Sequence, residues 1–358
     1  MEIEKKRGIS ITSSVLQFEY DGYCINILDT PGHQDFSEDT YRTLTAADSV
    51  VMVIDAAKGI EPQTRKLFKV CAMRHIPIFT FINKLDREAR DPFELLDELE
   101  KEFGIGTYPM NWPIGSGDRF KGVYDRSSSH ILAFDNETRG KGIAAKVEVD
   151  LNDTETLDEL ITPELREILQ EEIELLDGAS YEFDLEKVQN GQLSPVFFGS
   201  ALTNFGVEPF LASFLELTPT PLARVANGQT VDPLQDNFSA FVFKIQANMN
   251  KAHRDRIAFM RICSGKFDKD VNYFHVQRGK SMKLSQPQQM MAQEREIVSE
   301  AYAGDIIGVF DPGIFSIGDT VCSNGMNIEF EGIPTFAPEH FALVTQKDTL
   351  KRKQFVKG

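Results

Sequence analysis

Two runs near the amino end alternate apolar and polar positions with a period of two. Val15 to Tyr20 and Tyr23 to Leu28 therefore read as strands, and Asp21-Gly22 between them is a hairpin turn signal. Val50 to Asp55 and Ile76 to Ile82 lack that alternation and read as strands buried on both faces, as parallel strands between helix layers are. Helical spacing joins Phe36, Thr40 and Leu44, and again Leu67, Val70, Cys71 and Arg74. Asp91 as a cap, Pro92 at the first position, Glu94 closing a capping box and Gly104 beyond Phe103 predict a helix over 92–103. Strands alternating with helices predict a doubly wound α/β sheet.

The rhythm then breaks. Phe120 to Asp125 and His130 to Phe134 read as short strands, and Thr162-Pro163 opens a capped helix that runs to Gly178. The sheet pattern resumes at Ser194 to Gly199, so residues 105–190 read as an α+β insertion into a first domain of 1–220. Trp112 beside Pro113 is expected to anchor that insertion by packing. Pro219, Pro221, Asn227-Gly228 and Pro233 mark a linker over 221–235. Ala240 to Ile245, Ile257 to Cys263 and Ile306 to Phe310, with Gly-Asp turns, predict a β-barrel over 236–328. Residues 329–358 begin a further extended run.

Composition narrows the classes. An apolar content of 41% over 358 residues is enough for ordinary cores in two or three domains. No apolar run approaches the roughly twenty residues that span a bilayer, and the start lacks the apolar centre of a secretion signal. The four cysteines are far apart and form no C-x-x-C pair, which fits a reducing cytoplasm with buried thiols and no zinc site. A net charge of -17 repels nucleic-acid backbones at long range, so any contact with RNA must be local, and DNA and membrane are not expected partners. Acidity concentrates between Glu148 and Glu186, whereas Lys251, His253, Arg254, Arg256 and Arg261 form a basic cluster. Either group could be solvated surface. The histidines at 75, 130, 275 and 340 have no partners at ligand or catalytic spacing and read as structural.

Three turns could carry chemistry. Asp29-Thr30-Pro31-Gly32-His33 places a carboxylate, a glycine and an imidazole on a strand-to-helix turn, where α/β sheets bind phosphates and metal ions. Such a turn occurs as readily without a ligand. Asn83-Lys84-Leu85-Asp86 sets an amide and a carboxylate on the loop after a buried strand. A carboxylate there can accept the N1 and N2 protons of guanine, an edge that adenine does not offer. A capped loop is the plain alternative. Ser200-Ala201-Leu202 offers backbone N–H groups after the resumed strand and is uninformative alone. The order of the three, each at the carboxyl end of an expected strand, is what points to a nucleotide.

In that order they resemble the translational GTPases. Arg7-Gly8-Ile9-Ser10-Ile11, Asp29 to His33, Thr40 to Leu44 and Asn83 to Asp86 are similar to the two switches and the guanine motif of that family. Within it the closest similarity is to the bacterial class II peptide-chain release factors, carried by Met1 to Ile11, His33 to Asp48, Val53 to Glu61, Trp112 to Gly115 and Phe243 to Phe267. Elongation factor G, the nearest competitor, typically has threonine where Ser10 stands. The resemblance implies a cytoplasmic, monomeric factor that uses GTP to release class I release factors from the ribosome after peptide release. Its partners would be the large-subunit RNA, ribosomal proteins and class I factors.

Position by position, the resemblance implies that Ser10 and Asp29 hold Mg²⁺, Asp29 through water. Gly32 would meet the γ-phosphate, with Thr30 and Pro31 shaping the same turn. His33 would place the attacking water and Ile9 would belong to an apolar gate. Asn83 and Asp86 would read guanine, Lys84 would pack over it, and Ser200 and Ala201 would contact its oxygen. One departure stands out: G-x-x-x-x-G-K-[ST], which cradles the β- and γ-phosphates, is absent from the 358 residues. Set against the family, Met1 falls in switch I, so the first strand, the phosphate loop and the first helix are expected to be missing. A gap should then separate the Ile27 strand from the Val50 strand, the third domain should be truncated, and nucleotide binding should be deficient. The alternatives are a noncatalytic fragment that binds the ribosome or a release factor through the barrel and its basic cluster, or a translocase like elongation factor G.

Overall fold

The computed structural model describes residues 12–32, 37–134, 146–150, 153–247, 256–291, 294–331, 342–343, 345–352 and 355. Strands β1 (Ser14–Tyr20) and β2 (Tyr23–Asp29) form an antiparallel hairpin in continuous register from Ser14↔Asp29 to Tyr20↔Tyr23. The turn between them needs positive φ at both central residues, and Asp21 (48°) and Gly22 (77°) supply it. Helix α1 (Ser37–Leu44), β3 (Val50–Asp55), α2 (Pro62–Met73), β4 (Ile78–Asn83) and α3 (Pro92–Phe103) follow, then β5 (Gly106–Pro109). The expected caps hold α3: Asp91 Oδ1 accepts from Phe93 N at 2.8 Å and Glu94 N at 3.2 Å, and Gly104 closes it at φ 68°.

The insertion is a meander of β6 (Asn111–Ile114), β7 (Gly122–Asp125), β8 (His130–Phe134) and β9 (Lys146–Asp150). Helices α4 (Thr154–Leu160), α5 (Pro163–Ala179) and α6 (Leu185–Gln189) lead back to β10 (Leu193–Phe198) and α7 (Val207–Leu217). Trp112 is fully buried, as its anchoring role requires, and its Nε1–H donates to Glu172 Oε2 at 2.7 Å, fastening the meander to α5.

A parallel sheet in the order β3-β4-β10-β5 forms the α/β layer, so the sheet takes in Gly106–Pro109 from the segment expected to be inserted. One face packs Ile54, Ile78 and Ile82 toward Leu95, Leu99 and Trp112. The other packs Phe79, Phe81 and Phe197 on Phe210 and Phe214 of α7. Burial on both faces explains the unbroken apolar run in β4 and β10. The two strands expected to flank a gap lie in different sheets: β3 is an edge strand paired with β4, and β2 pairs with β1. Val51 and Val53 of β3 are exposed.

Beyond the short hairpin β11 (Arg224–Ala226) and β12 (Gln229–Val231) lies the barrel. Its strands are β13 (Ser239–Ala247), β14 (Arg256–Ser264), β15 (Lys266–Asp268), β16 (Asn272–His275), β17 (Lys280–Lys283), β18 (Gln288–Met291), β19 (Glu294–Ile297), β20 (Glu300–Tyr302), β21 (Ile306–Phe310) and β22 (Thr320–Cys322). A curled sheet runs β17-β16-β22-β13-β14-β21-β18-β1-β2, and β19 pairs with β18. Phe238, Val242, Met260, Phe267 and Ile307 fill its interior. The amino-terminal hairpin thus joins the barrel sheet, through a parallel bridge at Gln17↔Met291, rather than the α/β sheet. Both of its kinds of side chain meet the barrel: Val15 and Leu28 pack with Phe241, Phe259 and Ile306, and Gln17 Nε2 and Asn26 Nδ2 both donate to Asp305 Oδ1, at 3.4 and 3.2 Å.

Candidate functional site

Asn83 ends β4 and Gly199 follows β10, two parallel strands in register at Phe198↔Ile82. Their loops therefore leave the carboxyl edge of the sheet side by side. Asn83 Oδ1 accepts from its neighbour Lys84 N at 2.8 Å and from Ala201 N, 118 positions on, at 2.9 Å. Ser200 Oγ donates to Asp86 Oδ1 at 2.5 Å. Five expected residues, Asn83, Lys84, Asp86, Ser200 and Ala201, thus form one corner tied across the chain. Asp86 spends one oxygen on Ser200, while its other has Arg87 Nε no nearer than 4.0 Å. An acceptor so placed suits a neighbouring pair of N–H donors, as on the Watson–Crick edge of guanine.

Residues that sequence reasoning passes over build this corner. Asn111 is buried and its amide bridges both polar groups of Phe198, accepting from N at 2.7 Å and donating to O at 3.2 Å. Gly199 is a close approach: a Cβ there would collide with the Phe205 carbonyl and lie 2.7 Å from Phe81 Cζ. Asp55 ends β3 opposite Asn83, and its Oδ2 accepts from Lys84 Nζ at 2.8 Å. Burial works to raise the Asp55 carboxyl, but the Lys84 ammonium and the N–H groups of Ala57 and Lys58 outweigh it and hold the group below its ordinary range. The one signal for Asp55 is that two adjacent buried runs, Val50 to Asp55 and Ile78 to Asn83, both end on a polar residue.

The opening turn stands elsewhere. Asp29 ends β2, exposed, with Ser14 Oγ at 3.5 Å from its Oδ2. Pro31 is buried and Gly32 exposed. A Cβ on Gly32 would meet nothing within 4 Å among the described residues. Ile9, Ser10 and His33 lie outside the described residues. Among the described residues no three His, Cys, Asp or Glu side chains gather as a metal cluster.

The residue before β1, α1 and the segment after α1 are fastened to the barrel. Ser13 donates from N (2.6 Å) and Oγ (2.5 Å) to Asp39 Oδ2, and the buried Lys244 of β13 donates to Ser13 O and lies 3.6 Å from Asp39. Asp48 pairs with Arg261 of β14 and, at 3.2 Å, with Arg224. This corrects one expectation: Arg261, read in the basic cluster, is turned inward against Asp48 and is only 3% exposed. Arg256 is tied to Asp311 at 2.7 Å. Lys251, His253 and Arg254 lie outside the described residues. Cys24 is exposed rather than buried, whereas Cys71, Cys263 and Cys322 are buried as expected.

Comparison with known proteins decides the family. Residues 1–220 match the model of the Elongation factor Tu GTP binding domain, and residues 237–324 match Elongation factor G domain 2. The whole chain is 63% identical to peptide chain release factor 3 of Symbiobacterium thermophilum, covering 67% of that protein. The chain belongs to the release factor 3 family of translational GTPases. Release factor 3 proteins of Cyanothece sp. and Synechococcus elongatus are each 56% identical over the whole chain, which spans 66% and 64% of their lengths. The chain therefore spans about two thirds of the length of the family members it matches. A crystal structure from Thermus thermophilus superposes over the whole chain and 53% of its own, with a TM-score of 0.70 at 21% identity, a likeness of fold. Membership implies use of guanine nucleotide. Among the described residues no helix is long and apolar enough to cross a membrane.

Proposed function

We propose that this chain reads guanine nucleotide at the corner of Asn83, Lys84, Asp86, Ser200 and Ala201, and serves translation termination by freeing class I release factors from the ribosome. The observation that carries this reading is the pair of bonds joining the two loops, Ser200 to Asp86 and Ala201 to Asn83. They fix Asp86 before any base arrives, so its second oxygen is preorganised for the N1 and N2 protons. Asn83 spends its oxygen on the loops and acts as their clasp. The half-exposed stem of Lys84 covers one face of the base, and the backbone after Ser200 meets the base oxygen.

In the same reading, the turn from Asp29 to Gly32 senses the γ-phosphate. Gly32 offers its N–H, His33 orients the water that attacks the γ-phosphorus as the bond to the β-phosphate oxygen breaks, and Ile9 shields that water. Asp29 fits a hard cation as an exposed carboxylate whose neighbour is a hydroxyl, and with Ser10 it would hold Mg²⁺. The ion would neutralise charge that develops on the phosphates. Because the 358 residues contain no G-x-x-x-x-G-K-[ST], the phosphates gain little here and affinity comes mainly from the base.

Titration of the chain with GDP and with ADP, followed by amide NMR shifts and calorimetry, tests this. The expected result is GDP binding weaker than micromolar, a preference over ADP, and loss of that preference in Asp86→Asn. Equal response to both nucleotides would overturn the guanine reading. A micromolar GDP affinity would overturn the deficiency.

A further inference from the structure

We propose that Asp55 is a positioning residue of the guanine corner, holding the Lys84 side chain in its base-covering place before nucleotide arrives. The inference rests on the guanine reading given above and goes beyond it to a residue outside the three motifs. Asp55 ends β3 in register with Asn83, so its side chain stands one strand away from the residue next to Lys84. Its Oδ1 accepts from Ala57 N at 2.9 Å and Lys58 N at 3.3 Å, which fixes the plane of the carboxylate. Oδ2 is then left to accept from Lys84 Nζ at 2.8 Å. The carboxylate is mostly shielded and the lysine is not, at 13% and 44% exposure. The anion is therefore the fixed partner and the lysine the one that is held.

A second observation points to Lys84 as a held residue. Its backbone sits at φ 74°, a left-handed conformation that residues with a Cβ adopt only where surroundings impose it. Two bonds hold that backbone: Lys84 N donates to Asn83 Oδ1 and Leu85 N donates to Gly199 O at 3.2 Å, so the stem leaves a fixed Cα on its way to Asp55. Lysine carries four rotatable bonds, so a stem that had to be ordered on base binding would weaken it. Fixing the stem beforehand removes that loss, worth roughly two- to tenfold in affinity for one immobilised side chain.

The test is a double-mutant cycle on the full chain, read by NMR titration with GDP. Asp55→Asn keeps an oxygen for Ala57 N and Lys58 N, so the 55–59 turn survives, but removes the charge that holds the ammonium. Lys84→Met keeps the stem and removes the ammonium. Asp55→Asn is expected to weaken GDP binding roughly two- to tenfold in the wild-type background and to change nothing in Lys84→Met. Equal losses in both backgrounds, or none in either, would overturn the positioning role. A second readout needs no variant: the ¹⁵Nζ resonance of Lys84 should be sharp and ordered without nucleotide. Its appearance only on GDP addition would also overturn the proposal. Should Asp86→Asn leave the preference for GDP over ADP intact, the guanine reading itself falls and takes this inference with it. Should that preference vanish while the cycle is additive, the inference alone falls.

Discussion

The corner at Asn83 and Ser200 and the Asp29 turn are both strand-end loops, yet opposite kinds of packing hold them. The corner is clasped between neighbouring loops of the parallel sheet and braced from the meander: Asn83 and Asp86 on one loop bind Ala201 and Ser200 on the next, and Asn111 of β6 holds Phe198 beneath them. The turn follows a hairpin that lies on the barrel, and behind it α1 is fastened to β13 through Asp39 and the segment after α1 to β14 through Asp48. In the proposed reading, base recognition thus rests on the α/β sheet and the meander strand beneath it, whereas the turn assigned to the γ-phosphate follows a hairpin seated on the barrel. The two parts of that reading can therefore be perturbed separately.

The largest expected effect comes from breaking the domain contact. Asp48→Asn removes the charge that faces Arg261 and Arg224, whose side chains are only 4% and 18% exposed. Burial already pulls Arg224 below its ordinary range, so the loss of Asp48 leaves it with a nearby cation, Arg261, and little compensation. Breaking a buried pair from one side costs about 3–5 kcal/mol, and urea unfolding should show a loss of that order. GDP preference over ADP should survive in the fraction that remains folded. Loss of that preference would mean that the corner also depends on the barrel.

Next are changes to the corner. Gly199→Ala drives a methyl group against the Phe205 carbonyl and Phe81, an overpacking expected to cost about 1–3 kcal/mol. Asn111→Ala leaves the N–H and carbonyl of Phe198 buried without their side-chain partner, at about 1–3 kcal/mol. Both should blunt guanine preference while leaving the Asp48 contact intact, as read by unchanged protection of the Arg224 and Arg261 guanidinium protons from exchange. An intact preference in both variants would show that the loops hold their shape without the sheet beneath.

The corner is legible in sequence because periodicity and motif agree there: buried runs mark parallel strands, and Asn83 to Asp86 and Ser200-Ala201 fall where those strands end. The hairpin is legible as an element but not in its placement. Alternation in Val15 to Tyr20 says which residues face inward, not which domain supplies the inside, and the deciding contacts, Gln17 and Asn26 with Asp305, lie 288 and 279 positions apart. Arg261 misleads for a similar reason. A basic residue near others suggests a solvated face until a distant acid, Asp48, is folded against it. Asp55 escapes because its role comes from strand register with Asn83, and Asn111 because its amide meets Phe198 across 87 positions; neither is written in any local pattern.

The smallest effect reports on the hairpin's seat. Cys24 lies on β2, exposed, yet its thiol is pushed up to about 11, first by desolvation and then by the Asp305 carboxylate. At pH 8 about one Cys24 in a thousand is then thiolate, and alkylation should be slow, rising about tenfold for each pH unit up to about 11. Asp305→Asn removes the like charge while the desolvation stays, so labelling should speed up by less than about tenfold and remain slower than that of a free cysteine. Since the folded thiol holds its proton above the unfolded value of 9.0, this group favours the folded chain fully below pH 9 and loses that contribution as pH rises toward 11. The buried thiols of Cys71 and Cys263, both pushed up to about 12, should label only on unfolding and serve as controls. Wild-type Cys24 reacting at the rate of a free cysteine would mean that β2 is not seated against Asp305. The contrast between a sheet-built corner and a barrel-held turn would then lose its second half.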